Sequence, residues 1–200
     1  MEARVRSWSS RILSQEGKEV FIKSILQSIP TYIMSCFLLP KSLCEEFNTI
    51  IRNYWWKQKT NKKGIHWMNW MEVCKTKYAG GLGFRDMSKF NIALLCKQGW
   101  CLLKNTNTLA FQVLQAKYFP SRSFLESKQG HNSSFTWQSI CATKAILERG
   151  LRWRVGNGQR IKLWRDPWIP NISGFILEQT NLDIDAEACV CDLIEEEGKQ

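Results

Sequence analysis

The amino-acid sequence predicts a mainly α-helical protein, in which a helical bundle is followed by further helices and a small antiparallel β-hairpin. Apolar residues recur at a helical spacing in several long segments before residue 150. Residues 151 to 164 instead alternate with a period of two, which is typical of strands. Hydrophobic residues make up 44% of the 200-residue chain, so it can bury a core and is not disordered overall.

The first predicted helix begins after Ser14, whose side chain can cap it, and Glu16 lies in its first turn. Its apolar face consists of Phe21, Ile22, Ile25, Leu26 and Ile29. Pro30 cannot continue a regular helix, so we expect an end or a kink there. A further apolar turn is predicted from Tyr32 to Leu39.

Pro40 suits the first position of a second long helix. The apolar stripe of this helix is Leu43, Phe47, Ile50, Ile51 and Tyr54. Glu45, Glu46 and Arg52 lie opposite the stripe, so the helix is amphipathic.

A third long helix is predicted to begin near Ser88, after a tight turn at Gly80 to Gly83. One side carries Ile92, Leu95, Cys96, Trp100 and Leu103, and another carries Leu94 and Leu102. A helix that is apolar on more than one side is usually central, so the three long helices are expected to form a bundle. Shorter helices are predicted at about Leu109 to Tyr118 and from Trp137 to Arg149.

The period-two segment predicts a β-hairpin over residues 151 to 164, with Asn157-Gly158 as its turn. Its apolar face would carry Trp153, Val155, Ile161 and Leu163. Its opposite face would be strongly basic, with Arg152, Arg154, Arg160 and Lys162.

The charge distribution points to a polyanionic partner. The net charge is +10, but residues 171 to 200 hold eight acids and one lysine, so residues 1 to 170 carry +17. Lysines and arginines that neutralise phosphates release condensed counterions, so nucleic acid is the leading partner and an anionic membrane surface the weaker one. The uncharged run from Ser24 to Pro40 is too short and too polar to span a bilayer.

The sequence gives no indication of a metal site, a cofactor or a catalytic triad. The eight cysteines form no Cys-x-x-Cys pair, and His66 and His131 stand alone, so we expect free thiols rather than zinc ligands. The glycines at 80, 81 and 83 lack the spacing and the Lys-Ser/Thr ending of a phosphate loop. No signal peptide is visible, so an intracellular, reducing compartment is expected.

Several sequence blocks follow one another in a specific order. They are residues 13 to 40, Ile65-His66-Trp67 with Trp70 and Cys74, Gly80 to Asp86, Asn91 to Trp100, Lys117 to Pro120, and Arg152 to Trp168. Together they cover about residues 5 to 170, and they closely resemble the region after the polymerase palm in plant LINE-type (non-LTR) retrotransposon reverse transcriptases.

This resemblance implies the helical thumb and connector of an enzyme that performs RNA-directed DNA synthesis. Such polymerases hold magnesium with paired aspartates. This chain has no Asp-Asp pair and its first aspartate is Asp86, so the resemblance implies a fragment that is not an enzyme. Similar short reading frames occur in plant mitochondrial genomes, which leaves mitochondrial and nuclear locations both open.

The resemblance also suggests a division of the chain. Residues 1 to 105 would form the thumb-like bundle with a basic loop at 57 to 63, and residues 106 to 170 the connector with the basic hairpin. Residues 171 to 200 would be a poorly ordered acidic tail, in which residues 190 to 194 resemble the entry to a zinc-binding segment.

Two groups of residues are predicted to contact RNA or an RNA/DNA hybrid. The predicted phosphate contacts are Lys57, Lys59, Lys62, Lys63, Arg152, Arg154, Arg160 and Lys162. Trp56 lies beside the lysines and away from the apolar stripe, so it could stack on a base or could pack against residues 65 to 70. For the basic residues the alternative is an ordinary solvated surface.

The function hypothesis is therefore a non-catalytic fragment with sequence-tolerant binding of RNA or RNA/DNA hybrid. The rival hypothesis is a protein-interaction or structural module that docks onto a separate reverse transcriptase palm. A relic without function is the third. No small-molecule substrate and no membrane partner is expected.

Overall fold

A computed structural model describes residues 13–57, 65–170, 176–177, 185 and 187–194. The chain forms two compact units, Met1–Lys144 and Ala145–Gln200. The described residues are mainly helical, which confirms the predicted class. The proposed boundaries at residues 105 and 170, and the poor order of the tail, stay predictions.

The helices are α1 Gln15–Phe21, α2 Thr31–Cys36, α3 Lys41–Trp56, α4 Trp70–Val73, α5 Met87–Lys104, α6 Leu109–Tyr118, α7 Phe135–Cys141 and α8 Lys144–Gly150. A π-helical turn, Ile22–Leu26, continues α1, and 3-10 turns occur at Lys77–Ala79 and Val190–Leu193. Across the described ranges, no helix is both long and apolar enough to cross a membrane.

Helix α1 begins as predicted, because the Ser14 side chain accepts a hydrogen bond from the Gly17 amide at 3.2 Å. The π turn that follows changes the buried face. Ile22, Leu26 and Gln27 become buried, whereas Ile25, which the regular helical spacing placed on the apolar face, is partly exposed. The extra residue in each π turn rotates the later side chains, and a regular period cannot anticipate this rotation.

Helix α3 is confirmed as amphipathic, with a buried face slightly rotated from the predicted one. The most buried side chains are Cys44, Asn48, Ile51, Tyr54 and Trp55. Leu43, Phe47 and Ile50 are only half-buried. The buried face includes Asn48, whose polar contacts with Asp86 and Met87 a purely apolar pattern ignores.

Helix α5 is central to the first unit, as predicted, and contacts α2, α3 and α7. Asn91 on α5 is fully buried and joins it to the end of α2. Its amide group donates to the carbonyls of Met34 and Phe37 at 2.6 and 2.9 Å, and its oxygen accepts from the Leu39 amide at 2.8 Å. A buried asparagine with these partners fixes the position of the α2 segment on α5.

Asn48 connects α3 to the beginning of α5. Its oxygen accepts from the Met87 amide and its nitrogen donates to Asp86, both at 3.1 Å. Asp86 in turn caps α5 by accepting from the Lys89 amide at 3.0 Å. Gly81, in the turn before it, has no room for a side chain, because a Cβ atom would lie 2.2 Å from the Lys75 carbonyl oxygen.

The helix predicted from Trp137 to Arg149 is wrong as a single element, because α7 and α8 are separate. The Thr143 hydroxyl donates to the Ile140 carbonyl at 2.8 Å, and the Thr143 amide donates to the same oxygen at 3.1 Å. These two bonds close a tight turn in place of a regular helical turn. Trp137 is fully buried and stacks on Tyr118, with ring centroids 4.6 Å apart.

The predicted β-hairpin at residues 151 to 164 is wrong. Its two halves bond elsewhere: the Trp153 amide donates to the Pro167 carbonyl at 2.7 Å, and the Leu163 amide donates to the Ala188 carbonyl at 3.0 Å. The described residues contain a single isolated antiparallel bridge, between Lys162 and Cys189, and no longer strand.

The reason lies in the buried residues of the second unit. Ile161 and Leu163 pack against Val190, which comes from the acidic tail, rather than against the first half of the supposed hairpin. Trp153 is 47% exposed and Val155 is also exposed. Gly158 has a φ of +71°, and a Cβ there would lie 2.5 Å from the Cys191 amide nitrogen, so the turn itself is adapted to the tail.

Candidate nucleic-acid interface

A groove of about 410 Å³ lies on the first unit, where the start of α1 meets the end of α3 and the segment that leads to α4. Its described lining residues are Leu13, Ser14, Gln15, Lys18, Trp55, Trp56, Lys57, Ile65 and Trp67. Three indole rings and two lysines therefore share one concave surface.

The three indoles differ in accessibility. Trp55 is buried and meets Phe84 edge-on, with ring centroids 5.2 Å apart. Trp56 is half-buried against the apolar core and stacks on His66, with centroids 6.3 Å apart. Trp67 is 76% exposed, and Ile65 beside it is also exposed. The accessible aromatic surface of the groove therefore belongs to Trp67.

The sequence-predicted aromatic residue was Trp56, and its contact with His66 matches the alternative of packing against residues 65 to 70. Sequence reasoning missed Trp67. A signal was present, since Trp67 lies in a segment without helical or strand periodicity, shortly after a lysine cluster. Such a segment offers no regular face on which a tryptophan could be buried.

The cations among the described residues of the groove are Lys18 and Lys57. The Lys18 ammonium donates to the Lys57 carbonyl at 2.6 Å, and this bond joins α1 to the residue that follows α3. Lys59, Lys62 and Lys63, which the sequence also predicted as phosphate contacts, follow in the sequence but lie outside the described residues.

The basic residues of the second unit are less uniform than the hairpin prediction implied. Arg152, Arg154 and Arg160 are exposed. Lys162, however, forms an ion pair with Glu187 at 3.2 Å, and the hydrogen bond to Glu187 raises the pKa of this lysine. One of the four predicted phosphate contacts, Lys162, is therefore already paired with an anion from the acidic tail.

Arg165 joins the same cluster, because its guanidinium lies 3.1 Å from the other carboxylate oxygen of Glu187. Glu187 thus bridges two cations, and the lysine also donates to the Glu187 carbonyl at 2.9 Å. The sequence predicted an acidic tail but not this contact, because the two partners are more than twenty residues apart.

A second groove of about 400 Å³ lies on the first unit beside the start of α5. It is lined by Met71, Cys74, Lys75, Phe84, Arg85, Asp86, Lys89 and Phe90. Arg85 lies over the Phe90 ring, 4.6 Å from its centroid. Burial raises the pKa of the Cys74 thiol to about 11, so this thiol stays protonated at neutral pH and is a poor nucleophile.

Within the described ranges, no cluster of three or more His, Cys, Asp or Glu side chains could hold a metal ion. The cysteines there are free thiols.

Two relatives align with most of this chain. The Arabidopsis thaliana "Uncharacterized mitochondrial protein AtMg00310" is 41% identical over 143 residues, which are 71% of this chain and 93% of that protein. The "Putative ribonuclease H protein At1g65750" of the same plant is 34% identical over 174 residues, which are 84% of this chain but 28% of that protein. No family model and no solved structure matches the chain.

Both relatives are plant proteins, and their similarity to this chain supports its derivation from a retroelement. The chain spans only about a quarter of the longer relative, at 28% of its length. Neither similarity identifies the thumb region.

Proposed function

The chain belongs to the family of the Arabidopsis mitochondrial protein AtMg00310, and we propose that it is a non-catalytic, retroelement-derived fragment that binds RNA or RNA/DNA hybrid without sequence preference. We also propose that the chain corresponds to the thumb and connector of a LINE-type reverse transcriptase. The mitochondrial relative favours a mitochondrial location over a nuclear one.

The observation that carries the proposal is the groove in which Trp56 and Trp67 share a surface with Lys18 and Lys57. Aromatic rings beside basic residues are the usual platform for nucleic acid, because bases stack on the rings while lysines contact phosphates. The +17 charge of residues 1 to 170 supplies the long-range attraction. Contacts of this kind position a strand and carry little sequence information.

The proposal excludes polymerase activity, because the sequence lacks the paired aspartates that such enzymes use to hold magnesium. We expect no primer extension above a heat-killed control. The ribonuclease H activity in the name of the longer relative is not transferred, since the chain covers only 28% of that protein.

The experiment is a filter-binding titration of the whole chain against one RNA, and against a second RNA of unrelated sequence, from about 50 to 200 mM salt. We expect equal affinities and a log-log salt slope between about −2 and −5, at roughly 0.7 per contacted phosphate. A slope near zero, or a strong preference for one sequence, would contradict the proposal.

A triple variant tests the second unit in the same assay. Replacing Arg152, Arg154 and Arg160 with glutamine should reduce the magnitude of the slope by about 2 if all three contact phosphates. Lys162 is left unchanged because Glu187 already pairs with it. An unchanged slope in a folded variant would restrict the proposed interface to the first unit.

A protein-interaction module that docks onto a separate polymerase palm is the second candidate function. Exposed apolar side chains on and beside α1 and α2 favour it, including Val20, Ile33 and Tyr32, which is 80% exposed. This candidate predicts that the chain associates with a palm-containing protein and that salt does not weaken this association. The nucleic-acid proposal predicts the opposite dependence.

A further inference from the structure

We propose that the groove on the first unit holds one unpaired nucleobase against the exposed face of Trp67, so that this site selects single strands over base-paired duplexes. This inference rests on the proposed function and deepens it, because it names the form of nucleic acid that the groove accepts.

Trp67 is held in place from both sides although it is itself exposed. Its predecessor, His66, stacks on Trp56. Three residues later, Trp70 is buried and packs against Phe84, with ring centroids 5.9 Å apart. Asn69 caps α4 by accepting from the Met71 amide at 3.1 Å. The short segment between these fixed points presents an accessible indole with little conformational freedom to lose on binding.

The dimensions of the groove favour a single nucleotide. Its volume of about 410 Å³ lies within the range of small-ligand sites. In a duplex each base is stacked on its neighbours and paired, so its face is not available to a side chain. An unpaired base can instead be splayed out and stacked on an aromatic ring. The concave site therefore fits the single strand and not the double helix.

The charges of the groove complement the phosphates of such a strand. Lys18 and Lys57 supply positive charge, and no carboxylate is among the described lining residues. Ser14 and Gln15 add polar groups at the same surface. Stacking on an indole is possible for every base, which agrees with binding that tolerates sequence.

The experiment compares Trp67→Ala with the whole wild-type chain on two probes: a short single-stranded RNA that carries one 2-aminopurine, and a blunt RNA/DNA hybrid of equal length. We expect about 10-fold weaker binding of the single strand and unchanged binding of the hybrid. The salt slope should not change, because no cation is lost. Quenching of 2-aminopurine by the wild-type protein should disappear in the variant.

Two further variants provide the controls. Trp100→Ala removes another exposed indole, 45% accessible on α5 and away from the groove, and should leave binding of both probes unchanged. Trp67→Phe keeps an aromatic face and should recover most of the single-strand affinity. Circular dichroism melting checks that each variant is folded.

Salt-dependent RNA binding that Trp67→Ala leaves intact, or weakens equally for both probes, would overturn this inference and leave the proposed function in place. A wild-type chain that binds neither probe at low salt would overturn the proposed function, and this inference with it.

Discussion

The two basic surfaces of this protein are built in different ways. On the first unit, Trp67 and Lys57 lie on a surface that long-range contacts hold together, such as the bond from Lys18 to Lys57. In the second unit, the arginines at 152, 154 and 160 are exposed, and a small core of Ile161, Leu163 and Val190 supports the segment.

The difference concerns what each surface offers to a partner. The first unit presents both stacking and charge at one place, whereas the second presents charge that its own acidic tail partly neutralises through Glu187. We infer that the first unit provides the specific contact with a strand. We propose that the second unit adds mainly salt-dependent attraction.

The largest expected effect is on the framework of the first unit. Asn91→Ala would leave the Leu39 amide and the Met34 and Phe37 carbonyls without their partner. Each unsatisfied buried group costs about 1 to 3 kcal/mol, and two of these three bonds are only partly buried, so we expect a loss near the lower end of the sum, about 3 to 5 kcal/mol in the free energy of unfolding. Urea denaturation followed by circular dichroism measures this loss.

Asn53→Ala on the exposed side of α3 is the matched control and should change stability by less than about 0.5 kcal/mol. Equal losses in the two variants would show that the buried asparagine does not fix the α2 segment on α5.

A smaller loss is expected from the core of the second unit. Leu163→Ala removes a buried side chain from a cluster of three, which can partly collapse, so we expect about 2 to 3 kcal/mol. Hydrogen exchange at the Val190 amide, which bonds to the Ile161 carbonyl at 2.9 Å, should accelerate. Trp153→Ala is the control, because this exposed indole contributes little packing. A larger effect for Trp153 would restore the hairpin interpretation.

The sequence predicted most helices of the first unit because their apolar residues follow a regular period and their caps are local. Ser14 caps α1 and α6 spans Leu109–Tyr118, as expected. The π turn after α1 escaped prediction because it departs from the regular period. The separation of α7 from α8 was missed because Thr143 competes for a backbone carbonyl, a local effect that apolar spacing does not register.

The hairpin prediction failed for a different reason. Alternation of apolar and basic residues shows that a segment has two faces, but it does not identify the pairing partner. Here Leu163 bonds to Ala188 in the acidic tail, a partner that no local pattern connects with it. Trp67 was missed for a related reason, because its exposure depends on where His66 and Trp70 are anchored.

The smallest effect is expected from removing the ion pairs that Glu187 forms within the second unit. Glu187→Gln removes the carboxylate shared by Lys162 and Arg165, so both cations become available to phosphates. We expect RNA binding to tighten a few-fold and the salt slope to steepen by up to about 1.4. Stability should change by less than about 1 kcal/mol, since exposed ion pairs contribute little.

Glu46→Gln, on the exposed side of α3, makes the same charge change away from this cluster and serves as the control. Equal tightening in both variants would mean that only net charge matters. In that case the tail contact has no separate role in binding.

The site at which the strand binds on the whole chain separates the two basic surfaces directly. Ultraviolet crosslinking of a 4-thiouridine RNA, followed by mass spectrometry of the peptides, reports which residues a base touches. If the groove on the first unit provides the stacking contact, the dominant crosslinks will lie in the peptides that contain Trp67 and Lys57, with weaker crosslinks at residues 152 to 160. Crosslinks confined to the second unit, or spread evenly over all basic peptides, would contradict this role of the groove.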